Sequence, residues 1–167
     1  PIGPYRVIWE LMHALPRSES IITHDSGSPR DQMLPFFQAG GPRSYLSWGK
    51  SHGLGTGLGL IMGAKLAEPE KVCVNVMGDA AFGMVGLDFE TAARNRIPII
   101  TIVLNNSTMA IETRAMAVSQ ELYRARDIGG NYADMGRAMG GHAERIEDPA
   151  DVGPAILRVR RVTEEQG

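Results

Sequence analysis

Two short segments carry the residue types that could do chemistry. "VMGDAAFGMVG", residues 76 to 86, sets one carboxylate, Asp79, directly after an apolar run and before a stretch of small residues. "IVLNNST", residues 102 to 108, ends a second apolar run on two amides, Asn105 and Asn106. Taken alone, Asp79 reads as the N-cap of a following helix, a position that Asp favours, and the asparagines read as turn residues. Taken together they make a different set. A carboxylate, a side-chain amide oxygen and a free backbone carbonyl are hard oxygen donors suited to Mg²⁺, which keeps some of its ligands from water or from phosphates. A diphosphate would bring the charge that so small a donor set lacks.

These donors meet only if both runs are strands that end on one edge of a sheet. "KVCVNVM" and "IPIITIVLNN" have no polar face, as strands buried on both sides do, and "LDFETAARNR" between them has helical spacing. Such a βαβ unit is parallel and right-handed, so both strands end on the side where open α/β sheets bind ligands. Upstream, Val7, Ile8, Leu11, Met12 and Leu15 predict an amphipathic helix bounded by Pro4 and Pro16. "SIITHDSGSP" reads as a strand running into a turn, "RDQMLPFF" as a short helix ended by Pro35, and "GLGTGLGLIMGAKLAEP" as a helix over 54–67 stopped by Pro69. Downstream come helices in "MAIETRAMAVS" and "YADMGRAMG", a short strand "HAERI" and a final helix from Pro149 to about Glu164. The alternation predicts an α/β fold: a doubly wound, mainly parallel sheet flanked by helices. A last helix in such a fold returns to another strand, so "RVRRVTEEQG" reads as a stop before the last strand. The expectation is a single domain over 1–167, a piece or one subunit of a longer enzyme.

Composition narrows the classes of partner. With 167 residues, 43% hydrophobic and 22% charged, the chain fits one globular domain with a core of its own. A net charge of -2, with both signs intermixed, leaves no electrostatic footprint for nucleic acid or an anionic membrane. No stretch reaches the length of a membrane-spanning helix, and the N-terminus lacks a basic segment followed by an apolar one. The one cysteine, Cys73, sits in an apolar run and reads as a buried reduced thiol, so the expected location is cytoplasmic. "WGKS" fails as a P-loop because Ser44 stands where the first glycine is required, and "GLGTGLG" contains no G-x-G-x-x-G frame. His13, His24, His52 and His142 have no metal-ligand spacing, though His24 and His52 flank the expected cleft; Met109, Met116, Met135 and Met139 read as helix packing, with a substrate contact the alternative for Met84 and Met109.

"GDAAFGM…VLNN" resembles the thiamine-diphosphate signature, Gly-Asp-Gly followed some two dozen residues later by Asn-Asn. "ALPRSESIITHDSGS", "SHGLGTGLGLIMGAKLAEP" and "ADMGRAMGGHAERIEDPADVGPAI" resemble, in the same order, parts of the C-terminal diphosphate-binding domain of acetolactate-synthase-like enzymes. The similarity spans nearly the whole chain. It implies thiamine diphosphate and Mg²⁺ as cofactors, with the metal ligated by the side chains of Asp79 and Asn106 and the carbonyl of Thr108. It implies that the small residues Gly78, Ala80 and Ala81 let backbone amides approach the diphosphate, and that Gly27 and Ser28 make a second contact there. Leu54 would prop the cofactor into its bent shape, while the backbone of His52 and Leu54 would hydrogen-bond the aminopyrimidine.

Three departures from the family pattern stand out. Ala80 replaces the third motif glycine, a change that suits an ordinary backbone and conflicts with positive φ. "STMAIE" follows Asn106 where the family often has an aromatic residue and then glycine. The glutamate that activates the cofactor belongs, in this family, to a separate pyrimidine-binding domain across a subunit interface. The resemblance therefore places no catalytic residue in this chain; Glu90 and Glu112 read as surface or helix carboxylates. It implies a decarboxylase or carboligase, a transferase or lyase acting on a 2-oxo acid, inactive without a pyrimidine-binding domain from the same or a partner subunit. A homodimer or homotetramer is the expected assembly. The alternative is a non-catalytic or degenerate cofactor-binding or assembly subunit, to which Ala80 and the missing domain lend weight.

Overall fold

A computed structural model describes residues 1–49 and 52–166; Lys50 and Ser51 of the "WGKS" stretch lie outside them. Pro4 starts α1 (Pro4–Ala14), and the chain then enters β1 (Ser20–His24), α2 (Ser28–Met33) and β2 (Tyr45–Leu46). It continues through α3 (Thr56–Ala67), β3 (Val72–Gly78), α4 (Asp79–Val85), α5 (Asp88–Arg94) and β4 (Ile99–Leu104). Helices α6 (Ala117–Tyr123), α7 (Tyr132–Ala138) and α8 (Val152–Gln166) complete the order. The four strands form one parallel sheet in the order β2-β1-β3-β4. The α/β architecture expected from the sequence is therefore present.

Alternation along the strands splits the core in two. Ile22, Val74, Val76 and Ile100 face α1 and α8, where they pack with Ile8, Leu11, Val152 and Ile156. Their neighbours Ile21, Cys73, Met77 and Ile99 face Leu58 and Ile61 of α3, Phe82 of α4 and Ala92 of α5. Strands apolar on both faces suit a sheet covered on both sides. The register sets His24 opposite Val76 and Gly78 opposite Leu104, so β1, β3 and β4 all end at one edge.

Several local expectations are corrected. The small stretch after Asp79 is a helix of its own, α4, cut from α5 at Gly86, whose N–H donates to the Phe82 carbonyl at 2.6 Å. A Cβ on Gly86 would lie 2.5 Å from that carbonyl, so glycine is required for the tight turn. Helix α3 begins at Thr56 rather than at residue 54, because Gly55 turns to φ +96°. "MAIETRAMAVS" divides into a 3-10 turn at Ile111–Thr113 and α6, and the final helix is preceded by a 3-10 turn at Pro149–Asp151. "HAERI" is not a strand. A strand needs a partner for its backbone, and a groove separates this segment from β4: Ile99 to Leu104 line one side and His142 to Glu147 the other. β2 was not expected; two residues carry too little pattern to announce a strand.

Candidate functional site

The chain enters the site from three strand ends. After β3, Gly78 (φ -83°) leads into the first residue of α4, which is Asp79. This carboxylate is 3% exposed. Its Oδ1 accepts the Ala80 amide at 2.9 Å and its Oδ2 accepts the Ser107 amide at 2.6 Å, which ties the end of β3 to the loop after β4. In that loop Ser107 adopts φ +56°. Asn105 Oδ1 accepts both the amide and the hydroxyl of Ser107 at 3.1 Å, and Asn106 Oδ1 accepts the Thr108 amide at 3.1 Å. Thr108 then makes an isolated antiparallel bridge with Asp127, built from Met109 N–H to Arg126 O and Ile128 N–H to Ser107 O. In this wide-spaced pair Thr108 itself bonds nothing across the bridge, so its N–H and carbonyl turn to the opposite side, towards Asn106.

After β1, Gly27 takes φ +89°, ψ -151°, a region open essentially to glycine alone, and starts α2 at Ser28. A Cβ here would stand 3.8 Å from Leu54 Cδ2 and 4.0 Å from Ile111 Cδ1. These three residues thus meet across the site although they come from three separate loops. All of them border a continuous cavity of about 1230 Å³ that runs from the carboxyl edge of the sheet along the outer side of β4. Gly27, Ser28, Leu54, Gly78, Asp79, Ala80, Ala81, Asn106 and Thr108 line it.

His52 does not line the cleft. Its ring stands 5.8 Å from that of buried His24, which in turn lies 5.5 Å from Tyr45. His24 Nε2, the Tyr45 hydroxyl and both ring nitrogens of His52 are buried without a hydrogen-bond partner among the described residues. Burial pushes the Tyr45 phenol pKa up, so the hydroxyl stays protonated. Met109 reaches the cleft, whereas Met84 is exposed away from it.

Sequence reasoning missed three residues. Tyr132, at the start of α7, lines the cleft and packs edge-on against Phe82. Its pKa is raised, first by burial and then by the charge of Asp79. Glu112 also lines the cleft instead of lying on an outer surface, because the chain turns at Ile111–Thr113. Asp25, read before only as part of a turn, is fully buried just behind the cleft wall. No spacing rule signals any of the three. Glu90 is where it was expected, on the solvent side of α5, paired with Arg94.

A comparison with protein-family models matches residues 25–166 to the C-terminal TPP binding domain of thiamine pyrophosphate enzymes. The chain belongs to this family. It is 31% identical over 162 residues to a probable acetolactate synthase of Mycobacterium bovis, covering 95% of this chain and 29% of that protein. The same figures hold for the acetolactate synthase large subunit of Mycobacterium tuberculosis. A sulfoacetaldehyde acetyltransferase of Castellaniella defragrans is 30% identical over 165 residues, covering 94% of this chain and 26% of that protein. The chain spans less than a third of the length of these relatives. It is a TPP-binding domain of the acetolactate-synthase-like type. No helix among the described residues is long and apolar enough to cross a membrane.

Proposed function

We propose that the cleft holds thiamine diphosphate through Mg²⁺ and serves an acetolactate-synthase-like transferase or lyase acting on a 2-oxo acid. The observation that carries this reading is the buried Asp79 carboxylate, bound to the loop of Asn106 and Thr108 and facing the cleft. The donor set fits a hard cation. Two amides leave lone pairs free on the two Asp79 oxygens, the Asn106 amide oxygen accepts one bond from Thr108, and the Thr108 carbonyl turns to the same side. Asp79, Asn106 and Thr108 would hold the metal. Gly78, Ala80, Ala81, Gly27 and Ser28 leave the cleft wall low enough for a diphosphate to approach the backbone. Leu54, beside Gly27 and Ile111, would seat the apolar rings, and its backbone would hydrogen-bond the aminopyrimidine; His52, outside the cleft lining, takes no part in this reading. When bound, the cofactor supplies a nucleophilic carbon and an electron sink for breaking a carbon–carbon bond.

The activating glutamate is assigned to a pyrimidine-binding domain of the same or a partner subunit, in a homodimer or homotetramer located in the cytoplasm. Residues 1–167 act as one cofactor-holding domain of that enzyme. Isothermal calorimetry tests the metal assignment. The wild-type chain should bind thiamine diphosphate only with Mg²⁺, and Asp79→Ala should lose at least the ~10–100-fold that removing an outer-shell metal partner costs. Unchanged affinity would sink it. Turnover is expected only after a pyrimidine-binding domain is added, followed as pyruvate consumption; tight cofactor binding with no activity in that mixture would favour a cofactor-binding subunit without catalysis.

A further inference from the structure

Asp25 is fully buried and has no place in the cleft lining. It follows β1 directly, and its own N–H donates to the Val76 carbonyl of β3 at 2.8 Å, so its backbone is locked to the sheet. Its side chain faces the first turn of α3. Oδ1 accepts the Gly55 amide at 2.8 Å and the Ser26 amide at 2.7 Å, while Oδ2 accepts the Gly57 amide at 3.1 Å. A buried carboxylate is costly unless its oxygens are matched by donors, and the positive end of a helix offsets part of the charge. Both conditions hold here.

The turn that Asp25 grips has no slack. A Cβ on Gly57 would lie 2.5 Å from Asn75 Oδ1, 2.9 Å from the His24 carbonyl and 3.1 Å from Asp25 Oδ2. Thr23 Oγ1 lies within hydrogen-bond distance of the Gly57 carbonyl, 3.1 Å, and of Asn75 Oδ1, 3.0 Å. Leu54 is the residue immediately before this turn, and it projects to within van der Waals reach of the Gly27 position. Asp25 therefore connects two strand ends to Leu54, a large apolar side chain in the cleft lining.

We propose that Asp25 is a positioning residue: by holding the Gly55 and Gly57 amides it fixes Leu54 opposite Gly27, and cofactor affinity depends on Asp25 through Leu54. This rests on the reading that Leu54 seats the cofactor's rings. Asp25→Asn keeps the size of the side chain but turns one acceptor into a donor, so one of the glycine amides loses its partner. Amide exchange followed by NMR should accelerate at Gly55 or Gly57 by about tenfold or more, while exchange along β3 and β4 stays slow. Unchanged protection of both amides would overturn the proposal. Thr23→Val, which removes the neighbouring hydroxyl and keeps the carboxylate, should leave both amides protected. Asp25→Ser, with one acceptor in a smaller neutral side chain, reports on the same amides if the asparagine variant does not fold.

Binding supplies the second arm. With Mg²⁺ present, Asp25→Asn should weaken thiamine diphosphate by about tenfold and leave inorganic diphosphate unaffected. In the Leu54→Ala background, Asp25→Asn should cause no further loss. Additive losses, or an equal loss for inorganic diphosphate, would overturn a route through Leu54. A wild-type chain that binds no thiamine diphosphate, with the two amides still released by Asp25→Asn, would overturn the cofactor reading and support the hold on the turn.

Discussion

Asp25 and Asp79 follow adjacent parallel strands, are both buried, and both accept backbone amides, yet they face different things. Asp79 keeps an open side towards the cleft, whereas Asp25 is enclosed by the turn it holds. Ala80 was the weak point of the motif on sequence grounds. It does not have positive φ, since it is the second residue of α4, so its methyl introduces no backbone strain. Restoring the family's glycine with Ala80→Gly should therefore lower stability by about 0.5–1 kcal/mol, seen as a lower melting temperature. Cofactor affinity should not improve. A gain in calorimetric affinity would show that the methyl obstructs the site.

At the scale of elements, the end of β1 creates a pH dependence. His24 Nδ1 lies 3.0 Å from the Asp25 carbonyl, which can only accept, so Nδ1 carries the proton and Nε2 has no partner among the described residues. Burial holds the His24 pKa below its ordinary 6.5, and the nearby His52 and Arg30 charges act in the same direction. The Asp25 carbonyl and carboxylate oppose them. The unfolded chain takes up a proton near pH 6.5 that the folded chain resists, so stability is complete above that value and falls as pH drops below it. Thermal denaturation should show a lower melting temperature at about pH 5.5 than at about pH 7.5, and His24→Gln should flatten the difference. Equal slopes in the two proteins would remove His24 as the cause. The same strand end explains why β2 escaped prediction: Tyr45 and Leu46 are extended because Ile22 and Thr23 lie beside them, a relation between segments that neither one announces.

For the whole molecule, the double-sided sheet makes one further expectation testable. Cys73 lies in the middle of the sheet between Ile21 and Ile99, and burial pushes its thiol up to about 11. At about pH 8 a disulfide reagent should find no thiol in the native protein and one thiol in guanidinium, because exposure requires the sheet to open. Rapid reaction of the native protein would show that α3 and α5 detach from the sheet independently. The sequence by itself determined α1, α3, α5, α7 and α8 and the strands β1, β3 and β4, since unbroken apolar runs and helical spacing need no knowledge of neighbours, whereas α4 and the break before α6 were not legible in it. It also determined the pairing of Asp79 with the asparagine loop, because a single right-handed crossover leaves two parallel strands ending on the same side. Only the tertiary structure decided that "HAERI" would not be a strand, that Glu112 and Tyr132 would reach the cleft, and that Asp25 would grip a turn from another loop. Each of these depends on partners brought together by packing, and spacing along the chain carries no record of distance across it.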